Sequence, residues 1–138
     1  METFDKVLTN QKENFNNLIA NIDKIKVNKL VDLLIKYNKN NIYFAGVGKS
    51  GNLAIHLADI FKSVGLKSFY LNIMNITHGD LGCVDNNDVI LFFSKSGNTK
   101  EIFDIVEVFK CYKILICSNE KAKISSKVDD TFLVPLEE

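Results

Sequence analysis

The sequence predicts an α/β fold in which a parallel sheet is covered on both faces by helices, a three-layer αβα sandwich. Three observations carry this. Five short runs rich in β-branched and aromatic residues recur along the chain. Amphipathic helical stretches lie in front of and between them. The runs themselves are almost continuously apolar, the pattern of strands buried on both faces, which implies right-handed crossovers between parallel neighbours.

Two helices come first. Phe4, Leu8, Phe15, Leu18, Ile19 and Ile22 recur at roughly helical spacing, and Val27, Leu30, Val31 and Leu34 repeat at i, i+3, i+4 and i+7. The five candidate strands are IYFA (42–45), SFYL (68–71), VILFF (89–93), KILIC (113–117) and TFLV (131–134). Leu53, Leu57, Ile60, Phe61 and Val64 form one helical stripe between strands, and Ile102, Ile105, Val106 and Phe109 form another. The segment between Leu71 and Val89 has neither pattern. With no internal repeat, linker or low-complexity stretch, residues 1–138 are expected to make a single domain, with helices over 1–38 and an α/β core over 41–135.

The composition, 46% hydrophobic and 25% charged, is that of an ordinary soluble globular protein. The formal net charge of zero points to neither nucleic acid nor an anionic membrane surface as partner. All 17 basic residues are lysine, so an anion site must use lysine, hydroxyls and backbone N–H groups in place of guanidinium forks. Cys83, Cys111 and Cys117 form no Cys-x-x-Cys pair, which argues against a disulfide framework or zinc knuckle and for reduced, mostly buried thiols. The polar, amphipathic start METFDKVLTNQKENF has no signal-type core, and a cytoplasmic location is expected.

In open α/β sheets ligands sit beyond the carboxyl ends of the strands, near the point where strand order reverses. The small and polar residues cluster there: GVGKSGN follows the first strand, NIMNITHGDLG the second and SKSGNTKE the third. The first loop is not a P-loop, because the position five residues before Gly48-Lys49-Ser50 is Tyr43 where glycine is required. Gly46, Gly48 and Gly51 satisfy the dinucleotide fingerprint formally, but FYLNIMN (69–75) supplies no acidic residue for a ribose. The third loop sets hydroxyls at Ser94, Ser96 and Thr99 around Gly97, before a helix start where unpaired N–H groups favour an anion. With Ser50 this is a cradle for one phosphate monoester. The competing structural role is a capping box in which Asn98 caps the helix and Glu101 closes it.

GVGKSGN, HGDLG (78–82) and SKSGNTKEI (94–102), in this order and spacing, resemble the SIS (sugar isomerase) domain of the arabinose-5-phosphate isomerases, over about residues 42–134. The resemblance implies a doubly wound five-stranded sheet of flavodoxin-like order and a homo-oligomer, dimer or tetramer, with sites shared between subunits. It implies interconversion of D-ribulose 5-phosphate and D-arabinose 5-phosphate through an enediolate, without cofactor or metal. Gly48, Ser50, Ser94, Lys95, Ser96, Gly97 and Thr99 are then expected to hold the phosphate of a small sugar phosphate. Glu101 matches the family's glutamate after the serine loop and is the candidate base, partial burial raising its pKa. Lys49 matches the family's lysine and is expected to polarise the carbonyl oxygen or contact the phosphate. His78 is the candidate for ring opening or proton shuttling, or else orients the backbone of Gly79 and Asp80. Asp80 is read as a turn-former, and His56, beside the stripe of its helix, as structural.

Members of that family continue past the fifth strand into a further glutamate, a serine/threonine-rich turn, long helices and a second histidine, many with a pair of CBS domains. The sequence here stops at LVPLEE (133–138), with Glu137 or Glu138 near the place of that glutamate. The expectation is therefore either a reduced isomerase, or a fragment or degenerate copy that binds sugar phosphate without full catalysis. Losing the closing helices would expose apolar surface, so the domain is expected to associate with itself or with a partner.

Overall fold

The computed structural model describes residues 2–136; Glu137 and Glu138, weighed above, lie outside the described residues. Two helices, α1 (Glu2–Asn21) and α2 (Lys24–Lys36), precede the sheet. The break between them is set by Asp23, whose carboxylate accepts from the backbone N–H of Ile25 and Lys26, both at 3.0 Å, and so caps α2. The strands are β1 (Ile42–Gly46), β2 (Ser68–Leu71), β3 (Val89–Phe93), β4 (Tyr112–Cys117) and β5 (Asp130–Leu133), each within two residues of its expected bounds. They form one parallel sheet in the order β2-β1-β3-β4-β5, the doubly wound flavodoxin-like arrangement.

Side chains alternate across the sheet with period two. Ile42, Phe44, Val89, Leu91 and Ile114 face α2 and α3 (Lys49–Ser63) on one side. Tyr43, Ala45, Ile90, Phe92 and Leu115 face the other side, where Ile102, Val106, Phe109 and Ile124 cover them. Gly51, Ala54 and Ala58 are the buried residues of α3, small enough to bring its axis close to β1. Ser68 is fully buried, and its hydroxyl donates to the Ala58 carbonyl at 2.6 Å, closing the α3–β2 corner.

Two expectations change. The helix drawn through Ile102–Phe109 is the short α4 (Lys100–Ile105) followed by a 3₁₀ turn, Val106–Val108. Its apolar residues all serve one face, so tightening the last turn keeps them in the core. The unpatterned segment before β3 is two 3₁₀ turns, Ile73–His78 and Asp80–Cys83, joined at Gly79, whose φ of 131° favours glycine. Ile73 and Ile76 anchor it, and the Tyr43 hydroxyl donates to the Cys83 carbonyl at 2.6 Å. Burial pushes the Tyr43 hydroxyl up to about 12, so it remains a donor at any working pH.

Asp88, only 2% exposed, organises the other end of the sheet. Its carboxylate accepts from the backbone N–H of Asn41 at 2.9 Å and of Asp85 at 2.8 Å, fixing the entries to β1 and β3 together. Replacing it by alanine leaves partly buried donors without this partner. Asp88→Ala is expected to lower the free energy of urea unfolding by about 2–4 kcal/mol; a change within ~0.5 kcal/mol would show that the clamp is dispensable. Among the cysteines, all free, Cys83 is exposed while Cys111 and Cys117 are buried. Burial pushes the Cys111 thiol up to about 11 and raises Cys117 as well. At pH 8 a thiol reagent is therefore expected to modify Cys83 in the native protein, and the other two only after denaturant is added.

Candidate functional site

Strand order reverses between β1 and β3, whose last residues, Gly46 and Phe93, are register partners. The loops leaving these two strands therefore start side by side and turn to opposite faces, which opens a crevice between them. The first loop is shaped by its glycines. A Cβ on Gly46 would lie 2.6 Å from the Ser50 backbone, so only glycine lets α3 begin this close to the strand end. Gly48, with φ of 60°, is the residue preceding α3, and no side chain caps its first N–H groups.

The second wall is loop 94–99. Ser94 is buried and turned inward: its Oγ accepts from the Gly97 N–H at 3.0 Å and lies 2.7 Å from the Thr99 Oγ1. The Ser96 Oγ accepts from the Asn98 N–H at 3.2 Å. The loop is also fastened from outside by the segment that follows β4. The Ser118 N–H donates to the Lys95 carbonyl, the Asn119 Nδ2 to the Ser96 carbonyl, both at 2.9 Å, and the Ile124 N–H to the Gly97 carbonyl at 3.0 Å. The Asn98 side chain accepts from the Lys123 N–H at 2.9 Å. Every bend of the serine loop is thus held before any ligand arrives.

Between these walls lies a cavity of about 700 Å³ lined by Ser50, Lys95, Ser96, Thr99, Ser118, Asn119, Glu120, Lys121 and Leu136. Of the expected phosphate residues, Ser50, Lys95, Ser96 and Thr99 line it. Ser94 and Gly97 shape the loop from behind, and Gly48 is exposed at the start of α3. Lys49, His78 and Glu101 are all exposed and are not among the lining residues. Glu101 lacks the partial burial expected of a raised base, and His56, read as structural, is exposed on α3. The capping box does not form: the residue preceding α4 is Thr99, no side chain caps that helix, and Asn98 is engaged with Lys123 instead. Ser118, Asn119, Glu120 and Lys121 were missed. Their signal was present in SNEK, polar residues directly after the fourth strand, where the same topological rule applies.

The electrostatics suit a small anion: Lys95 and Lys121 stand against Glu120, and the rest of the lining is mostly hydroxyl and amide. Among the described residues no three His, Cys, Asp or Glu are grouped so as to hold a metal ion, and no helix is long and apolar enough to cross a membrane. A model of the SIS domain family matches residues 35–138. The chain belongs to the SIS domain family.

This SIS domain is 38% identical over 99 residues to the uncharacterized protein RP505 of Rickettsia prowazekii, covering 72% of the chain and 28% of that protein. It is 37% identical over 87 residues to the arabinose 5-phosphate isomerase KdsD of Yersinia pestis, covering 61% of the chain and 26% of that enzyme. The chain thus spans roughly a quarter to a third of the length of the curated relatives it matches. Its fold is that of Escherichia coli CFT073 c3406, solved in complex with arabinose 5-phosphate, with a TM-score of 0.81 at 24% identity over 99% of the chain and 75% of the other.

Gly97 is the residue on which the serine loop turns. Its φ is 64°, and a Cβ there would run into the Ala122 side chain behind it. Gly97→Ala is expected to cost about 2–4 kcal/mol in thermal or urea unfolding, combining backbone strain with overpacking. An unchanged midpoint would mean that the loop is not held as described.

Proposed function

We propose that this SIS domain binds a pentose 5-phosphate and interconverts D-arabinose 5-phosphate and D-ribulose 5-phosphate, acting as a homo-oligomer, dimer or tetramer. The observation that carries the reading is the pre-fastened serine loop facing Ser50 across the switch point. It offers Ser96, Thr99 and Ser50 hydroxyls with Lys95 to one phosphate, and a cavity of about 700 Å³ leaves room for the sugar. The relationship to KdsD and the fold shared with the protein solved with arabinose 5-phosphate support the choice of substrate.

The chemistry needs few parts. A base removes the proton from the carbon beside the carbonyl, the carbonyl oxygen becomes an enediolate oxygen, and the proton returns to the neighbouring carbon as the carbonyl moves over. Glu101, one residue into α4, is the base in this reading. Lys49, first residue of α3, stabilises the enediolate oxygen, and His78 moves the hydroxyl proton or opens the sugar ring. Phosphate binding remote from the reacting carbons orients the open chain against these groups.

A second reading, a phosphosugar-binding module without turnover, is favoured by one observation: Lys49, His78 and Glu101 are exposed and stand outside the cavity lining. One experiment separates the two. Ribulose 5-phosphate is expected to raise the melting temperature, by about 2.7 kcal/mol of stabilisation at a hundredfold excess over Kd, and Ser96→Ala to weaken this about tenfold in affinity. Isomerisation to arabinose 5-phosphate, reduced by two or more orders of magnitude in Glu101→Gln, supports the enzyme. Stabilisation without turnover supports the binding module, and absence of both overturns the phosphosugar reading.

A further inference from the structure

The phosphate cavity adjoins a second opening. A groove of about 600 Å³ lies between α1 and the tail that follows β5, and it shares Ser118, Glu120 and Leu136 with the cavity. Its α1 wall is Asn14, Asn17 and Asn21, spaced three and four residues apart and so on one face of the helix. Carboxamides donate and accept without carrying charge, which suits hydroxyl groups. Asp23, held in place by its cap of α2, extends that wall. Among the described residues that line the groove none is a lysine, whereas Lys95 and Lys121 both line the phosphate cavity. Charge therefore changes sign along the opening, from cationic beside the serine loop to anionic in the groove.

Glu120 lines both openings, and the backbone that carries it is fixed. It lies in the turn 119–122, closed by the Ala122 N–H donating to the Asn119 carbonyl at 3.2 Å. The Asn119 Oδ1 accepts from the Lys121 N–H at 3.0 Å, and the Nδ2 of the same side chain donates to the Ser96 carbonyl at 2.9 Å. One carboxamide thus ties the turn to the serine loop, and the position of Glu120 relative to that loop is set by the fold. A carboxylate here works against the phosphate that the rest of the cavity suits. It accepts hydrogen bonds from hydroxyl groups and repels a further anion.

We infer that Glu120 is a specificity-determining residue: it admits the neutral, hydroxyl-bearing end of a sugar monophosphate and turns away a sugar that carries a second phosphate. On the phosphosugar reading above, on which this rests, the first phosphate takes the serine loop and Lys95, and the remainder of the ligand extends toward Glu120 and the asparagine face. A second phosphate would bring roughly two negative charges to the carboxylates of Glu120 and Asp23, in a groove whose described lining holds no lysine. A neutral polyol end meets carboxamides and a carboxylate acceptor instead.

Calorimetric titration of the whole chain with ribulose 5-phosphate and with ribulose 1,5-bisphosphate tests this, the quantity read being the ratio of the two affinities. Glu120 is exposed, so its exchange leaves folding intact. The wild type is expected to favour the monophosphate. At low salt Glu120→Gln is expected to move the ratio toward the bisphosphate by about three- to tenfold, and Glu120→Lys further, with most of the shift lost in about 0.5 M salt. Asp59→Asn, which removes an exposed carboxylate of α3 that lines neither opening, is expected to leave the ratio unchanged. A wild type that prefers the bisphosphate, a ratio that neither Glu120 exchange moves, or one that Asp59→Asn moves as far, would overturn the role of Glu120 and leave the phosphosugar reading standing. Binding of neither ligand to the wild type would overturn that reading, and the role of Glu120 with it.

Discussion

The parallel pairing of β1 with β3, which ends on Gly46 opposite Phe93, is the contact on which the rest of this molecule depends. Because the chain makes β2 on one side of β1 and then crosses back to place β3 on the other, the two loops that leave this pair diverge. Divergence leaves backbone N–H groups and short polar side chains facing an opening that no element fills. The cavity lined by Ser50, Lys95, Ser96 and Thr99 opens there. Its opposite end, where Asp88 holds the entries to the same two strands, keeps the pair in register.

The sheet was legible because each strand is a compact apolar run, and a run buried on both faces looks the same wherever it lies in the order. The helices were less so. The stripe Ile102–Phe109 is equally well served by a short helix and a 3₁₀ turn, since either sends those side chains to one face. The turns between Leu71 and Val89 carry no period at all, being held by two isoleucines and a tyrosine hydroxyl reaching from β1. The 20-residue α1 was visible as an amphipathic pattern, but pattern does not say whether the apolar side meets its own chain.

The site divided along similar lines. Residue types in SKSGNT point to an anion loop, yet which hydroxyls line the cavity is decided by contacts distant in sequence. Ser94 is spent on the loop itself, whereas Ser96 and Thr99 line the cavity. The segment after β4 was invisible as a partner because its bonds to loop 94–99 are mostly made by backbone atoms, which no composition reveals. Lys49, His78 and Glu101 lie in the segments that follow β1, β2 and β3, but as exposed side chains outside the lining of the cavity.

The fastening of loop 94–99 by the segment after β4 has a kinetic consequence. With its bends already bonded to Ser118, Asn119, Lys123 and Ile124, the loop would lose little conformational freedom on binding an anion. Encounter with a phosphate ligand of the kind proposed would then be governed by diffusion and by the open mouth of the crevice, with no closure step in the loop to wait for. Differences in affinity among ligands that share a phosphate should consequently be written in how long each one stays.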